Sequence, residues 1–404
     1  MPRSWIRRNV VAISLASFFS DLSHEVCTAV LPLYLKAAGL GPQVLGILEG
    51  VANLLFNSGK LVGGIFGYFV RRKKPGAASG YLVTTIFTAA ISLTVLPVLL
   101  VLFRGIAWFA RGFRSPLRDD LLARSVDREH YGKAFGLERT GDMLGAVAGP
   151  ALAGVLLLAA WSYESIILMG VIPGLLAASS IFFFVKEKPL AGNPLPPSEG
   201  RDWGGEAFRF VLPLRFWILF CGVILFSLGN YSRSFLIYLV ARHVDTRGLP
   251  IDIFVSLPVF LYTSQNVVSA LVPYAAGMVA DRTSRPGTLA LGYLLGSITT
   301  ILLAGFSDYL AVLALAMIFS GASLAIEEAL ERATVAEVLP SRLRSLGFGV
   351  VGTAAAVGQA AASLYVGYLL EKESPAMAFG AAATFGLAGT IWMTAFALRV
   401  RQAR

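Results

Sequence analysis

The side chains best placed to do chemistry in this chain are acids, bases and amides set at helical spacing inside apolar runs. Asp21, His24 and Glu25 stand at i, i+3 and i+4, so a helix carries all three on one face. Glu49, Asn53, Asn57 and Lys60 follow at steps of four, four and three, a continuous polar stripe. Arg104 stands about seven residues into another run. In the group Glu138, Arg139 and Asp142, the arginine lies three residues from Asp142 and can neutralise it. Further on, Asn230 and Arg233 share a face with Ser227, Gln265 and Asn266 are adjacent, and Glu327 precedes Glu331 by four residues. Such groups can bind protons, pair with one another or hold a polar solute. They do not form a catalytic set: the sequence has no G-x-S-x-G, no HExxH and no G-x-x-x-x-G-K-[ST]. No enzymatic activity and no cofactor are expected. A divalent metal is a second reading of Asp21, His24 and Glu25, but Cys27 is turned away from their face, so no metal is assigned.

The elements that carry these residues are apolar. Of 404 residues 56% are hydrophobic and 14% charged, against about 25% charged in soluble domains. A soluble surface needs more charge than that, whereas a bilayer does not. Apolar stretches recur at 10–35, 44–70, 77–96, 97–113, 134–160, 164–185, 214–240, 251–279, 287–306, 309–331, 345–369 and 376–398. They are continuous and rich in Leu, Ala, Gly and Phe, without the apolar–polar alternation of barrel strands. The fold class is therefore an all-α membrane protein of twelve transmembrane helices. The first run is too long for a signal-peptide core and is interrupted by Asp21, His24 and Glu25, so it reads as an uncleaved span.

Charge then sets orientation. With the N-terminus in the cytoplasm, 26 of the 34 Lys and Arg residues fall at the termini and in the even-numbered loops, and four on the other side. The net charge of +10 thus reports topology, and no nucleic-acid partner is expected. Localisation in the inner (plasma) membrane with both termini cytoplasmic follows. Residues 187–213, holding Pro189, Pro194, Pro196 and Pro197 among mixed charges, read as a cytoplasmic linker between an N-terminal bundle, 1–186, and a C-terminal bundle, 214–404. Trp203 and Phe208 to Phe210 could form a short interfacial helix there. Cys27 and Cys221 both lie in apolar runs, which excludes a disulfide framework.

The two halves look related. Gly63 to Arg72 ends the second span and Gly277 to Pro286 the eighth, each a glycine-led helix end followed by a basic turn. On these residues the chain resembles the major facilitator superfamily over essentially its whole length. Gly277 to Pro286 is similar to that family's G-x-x-x-D-R-x-x-R loop, which makes Asp281 and Arg282 a conformational latch; the N-terminal copy has Gly67 where the family usually has Asp. Gly136, Gly145, Gly149, Pro150 and Gly154 resemble the antiporters' fifth-span motif, with Ala153 replacing one glycine, and Arg104 is the best match to the family's fourth-span arginine. The segment Arg114 to Asp120, with Tyr131 to Gly149, looks like a branch of bacterial permeases.

The resemblance implies two pseudo-symmetric six-helix bundles, alternating access and a solute site between the halves. Asp21, near the middle of the first span, is the first candidate to carry a proton, because burial disfavours a charged carboxylate. Lys60 is expected at mid-membrane, either paired with Asp21 or facing an anionic solute. His24, Glu25, Glu49, Asn53, Asn57, Arg104, Asn230, Arg233, Gln265, Asn266 and Glu327 complete the expected site. Glu138, Arg139, Asp142, Gly145, Gly149 and Pro150 are expected to gate it. The function expected is proton-coupled export of a small organic solute by a monomer, with protons, solute and the lipid bilayer as partners. A solute importer or uniporter and a divalent-metal transporter are the alternatives within the architecture, and a non-transporting receptor the alternative outside it.

Overall fold

The computed structural model describes residues 6–70, 72–127, 131–187, 212–246, 251–339, 344–372 and 374–402. Helices account for nearly all of them, and no strand occurs among the described residues. Twelve spans follow in order. Spans 1 to 5 are Arg8–Ala37, Pro42–Phe69, Lys74–Leu93, Pro97–Ala123 and Tyr131–Leu158. Span 6 is Tyr163–Phe184, and span 7 comes in two pieces, Leu214–Ser227 and Ser234–Thr246. Spans 8 to 12 are Ile251–Arg282, Arg285–Phe306, Leu310–Val338, Arg344–Glu371 and Pro375–Gln402.

Local chemistry sets several boundaries. Pro42, Pro75 and Pro97 sit in the first turns of spans 2, 3 and 4, where a missing N–H costs nothing. Gly39, at φ 72°, closes span 1 in the left-handed conformation that glycine adopts freely. Ser162 and Ser284 accept hydrogen bonds from the N–H groups of Ser165 and Gly287 and so cap spans 6 and 9.

The spans form two six-helix halves. Spans 1 and 5, and 2 and 4, pack closely in the first half; spans 9 and 12, and 9 and 10, do so in the second. The halves meet along spans 2 and 11 and spans 5 and 8. At one end an apolar core closes this seam, built from Val26 to Leu35 of span 1, Phe235 to Val244 of span 7, and Val366 and Leu370 of span 11. At the other end the halves diverge around a deep cavity.

Two differences from the sequence expectation bear on the site. Span 4 does not stop at residue 113 but continues to Ala123, which moves Arg114 and Arg118 from a loop onto a helix. Hydropathy ends a span at its first charges; here those charges are answered by partners on span 1, so the helix carries on. Span 7, expected to be continuous, breaks at residues 228–233. The Tyr365 hydroxyl donates to the Leu228 carbonyl at 2.8 Å, and the Ser232 N–H donates to Ser363 Oγ at 3.1 Å. These bonds replace the ladder bonds that a break in lipid would leave unmade.

The proposed linker and the aromatic segment from Trp203 to Phe210 lie outside the described residues, apart from the linker's ends. Glu187 is tied to the first half: its carboxylate accepts from the Lys73 and Lys74 N–H groups at 2.7 and 3.0 Å, capping span 3.

Candidate functional site

The cavity between the halves has a volume of about 1810 Å³ and reaches from mid-membrane to the ends that bear the basic loops. Its wall is unusually rich in charge for bilayer depth, where each charged group needs a partner or water.

On the first half the wall is a ladder between spans 1 and 4. Arg111 donates to Asp21 at 2.7 Å, Arg114 donates to Ser20, and Arg118 donates to Ser17 at 3.1 Å while pairing with Glu138 at 2.8 Å. Positions 111, 114 and 118 advance by three and four, so one face of span 4 meets the face of span 1 that carries Ser17, Ser20 and Asp21. The Arg114 guanidinium also lies 3.6 Å from the centre of the Tyr81 ring. Asp21 therefore pairs with Arg111 and not with Lys60, the alternative its mid-span position suggested. Lys60 rests 4.2 Å over the Phe56 ring.

Behind the wall lies the most deeply buried ion pair among the described residues. Arg104, 1% exposed, donates to Glu49 at 3.0 Å and to Thr28 at 3.4 Å; Glu49, 4% exposed, also accepts from Ser232 at 3.2 Å. Because Ser232 belongs to the broken part of span 7, this cluster crosses between the halves. Arg104 itself does not line the cavity, although Glu49 does.

The fifth-span glycines determine how closely span 5 approaches span 1. A methyl group at Gly145 would overlap the Phe18 carbonyl, and one at Gly149 would press on the Glu25 Cβ at 2.7 Å. Their lack of side chains lets the two backbones come together at Asp21 and Glu25. Pro150 falls one residue later inside the same helix. Just before the glycines, Asp142 accepts from Arg139 at 2.7 Å, and Arg139 reaches across to Glu328 of span 10 at 3.1 Å.

The second half contributes less. Glu327 accepts from Asn230 at 2.9 Å, and the Tyr262 hydroxyl donates to Glu25 at 2.9 Å. Arg233 lines the cavity. Gln265 and Asn266 do not line it: Gln265 donates to Ser320 at 3.1 Å, and Asn266 donates across the seam to the Ala146 carbonyl at 2.8 Å. Asn53, Asn57 and His24 do line it, and His24 stands edge-on to Trp108 with ring centres 4.9 Å apart. The Asp281 side chain lies outside the described residues; Arg282 is exposed in the last turn of span 8.

The residues that sequence reasoning missed are Arg111, Arg114 and Arg118, with their partners Ser17 and Ser20. The signal was present: arginines at steps of three and four continue the register of span 4 into what hydropathy treats as a loop. Among the described residues no group of three His, Cys, Asp or Glu side chains has the geometry of a metal site.

An architecture of two six-helix halves around a charged central cavity is that of a class of membrane transporters. The model of the major facilitator superfamily matches residues 13–264 and 254–404, and the chain belongs to that superfamily of transporters. An uncharacterized MFS-type transporter of Methanocaldococcus jannaschii is 26% identical over 382 residues, covering 93% of this chain and 91% of its own. The crystal structure of the nucleoside transporter NupG aligns with a TM-score of 0.78 at 12% identity, over 96% of this chain and 99% of that one. A POT family transporter in complex with 5-aminolevulinic acid aligns with a TM-score of 0.77 at 13% identity, over 97% and 96%. At these identities the two structures share the fold with this chain.

Proposed function

We propose that the chain is a proton-coupled secondary transporter that exports a small organic solute by alternating access, as a monomer in the inner membrane, with no enzymatic step. Both termini lie in the cytoplasm, the bundles divide at residues 187–213, and the cavity faces inward. The observation that carries this reading is the Asp21–Arg111 pair at 2.7 Å on the wall of a cavity sealed at its far end. A proton added to Asp21 neutralises the carboxylate and releases Arg111 to the cavity, so one site has two charge states that a pH gradient can bias. Asp21 is tied directly to the machinery that must move. Span 5 touches it through the glycine seam, Glu25 one turn on is held by Tyr262 of the opposite half, and the Arg139–Glu328 pair bridges the halves beside Asp142. The direction of export rests on the resemblance of that seam to the antiporter motif. Asp281 and Arg282 remain the proposed latch for the opposite conformation.

The test is proton flux in proteoliposomes carrying an internal pH dye. With a solute gradient imposed, the wild-type protein should move protons opposite to the solute, and Asp21→Asn should abolish proton movement while leaving solute counterflow. Solute transport indifferent to the pH gradient, with Asp21→Asn fully active, rules out the coupling. Proton flux running with the solute reverses the direction and favours import.

A further inference from the structure

We infer that the wall formed by Phe56, Lys60, Trp108 and Arg111 is the head-group subsite for an organic anion bearing an apolar body, of the aryl or alkyl carboxylate class. The inference rests on the transporter reading and names its solute.

The argument begins with which charges in the cavity are already answered. At mid-membrane each carboxylate has a partner: Asp21 has Arg111, Glu25 has the Tyr262 hydroxyl, Glu49 has Arg104 and Ser232, and Glu327 has Asn230. Two of these partners are arginines and two, for Glu25 and Glu327, are neutral donors on the side of the second half. Among the described residues Lys60 and Arg233 form no ion pair, although both line the cavity. The Lys60 ammonium is held by the Phe56 ring, which faces one side of it and leaves its other donors uncommitted. A cation–π contact offsets only part of what a cation costs at this depth. On the wall of spans 1, 2 and 4 the carboxylates Asp21 and Glu49 are already paired with arginines while Lys60 is not, so at this place an incoming anion finds a free counter-charge and an organic cation does not.

The local packing presents those donors together. Spans 2 and 4 touch backbone to backbone at Gly59 and Gly112, where a methyl group would overlap the Phe109 and Phe56 carbonyls. That contact sets Phe56 5.5 Å from Trp108, ring centre to ring centre, and the Arg111 guanidinium 5.9 Å from the Trp108 ring. Two buried donors on this wall, Trp108 Nε1 and Arg111 Nη1, have no acceptor. A carboxylate offers several acceptor positions to such a group of donors. The rest of the requirement comes from span 5: Met143, Leu144 and Val147 line the same cavity and are apolar. A ligand satisfying both surfaces has a charged head and an apolar body.

The experiment is calorimetric binding to purified full-length protein with three probes at millimolar concentration: benzoate, benzylammonium and glycolate. Benzoate should bind about 10-fold or more tightly than either of the others, because only it carries both features. Lys60→Met should weaken benzoate by about 10-fold, and Lys60→Arg should restore most of the loss. A thermal unfolding scan of each variant separates lost binding from lost folding, and the Lys60→Arg protein serves if the methionine variant fails to fold. Equal or tighter binding of benzylammonium, equal binding of glycolate, no binding of any probe, or benzoate binding unmoved by Lys60→Met each overturns the assignment. The outcome is separable from the transporter reading. Proton-coupled solute flux with no benzoate binding sinks the ligand class alone, while benzoate binding without any flux keeps the subsite and sinks the transport.

Discussion

The two halves share an architecture and differ in what joins their cavity-lining spans. Between spans 1 and 4 the contacts are ionic or charge-assisted: Arg111 to Asp21, Arg114 to Ser20, Arg118 to Ser17 and Arg104 to Thr28. Between spans 7 and 10 the neutral Asn230 amide donates to Glu327. Deeper in the second half, stacked Phe226 and Tyr293, with ring centres 3.8 Å apart, and a Ser297–Thr390 hydrogen bond take the place of charge. Apolar packing and small residues suffice to repeat a six-helix bundle, and they say nothing about chemistry. The ion pairs that line the cavity can then be concentrated in one half.

The comparison is broken most forcefully at the buried pair. Glu49→Ala leaves Arg104 uncompensated and should destabilise the protein by about 3–5 kcal/mol, whereas Glu327→Ala orphans a neutral amide and should cost about 1–3 kcal/mol. Thermal unfolding of the two variants side by side measures the ratio; equal losses would mean that the halves are not chemically unequal after all.

Packing offers the next largest effect. Gly149→Leu forces span 5 off span 1 at Glu25 and should cost about 1–3 kcal/mol, with transport lost in liposomes. The control belongs to the second half: Gly305 of span 9 has open space around it, and Gly305→Leu should leave both unfolding and transport near wild type. A tolerated Gly149→Leu would remove the glycine seam from the argument.

Tyr262→Phe isolates one tie between the halves. It deletes the hydrogen bond to Glu25 while keeping the ring, and should cost about 1–2 kcal/mol. The accompanying change should be a seam that opens more readily, read as faster labelling of a cysteine placed near the sealed end. Labelling unchanged from wild type would confine Tyr262 to a local role.

The smallest effect on stability is expected at the exposed bridge. Glu328→Gln removes the partner of Arg139 and should shift unfolding by less than about 1 kcal/mol, because both side chains are half exposed. Its consequence should be conformational: spin-label distances between spans 5 and 10 should broaden with little change in melting temperature. A large stability loss with an unchanged distance distribution would make the bridge structural.

The sequence by itself determined the number, order and character of the spans. Long continuous apolar runs have one stable form in a bilayer, because every backbone group must be satisfied within the segment. It also picked out Asp21, Glu49, Lys60 and Glu327, which line the cavity, since charge at that depth has few other places to go. What it did not determine was partnership. Depth alone matched Asp21 equally to Lys60, and its pairing with Arg111 depends on the rotation of span 4, while the contacts of Arg114 and Arg118 depend on the ten residues by which that helix outruns its apolar stretch. The break in span 7 was likewise invisible, because what permits it are the hydroxyls of Ser363 and Tyr365, more than a hundred residues away in the chain. Helix formation in lipid is local and therefore written in each segment, whereas the choice of counter-charge is made between segments and exists only once they pack.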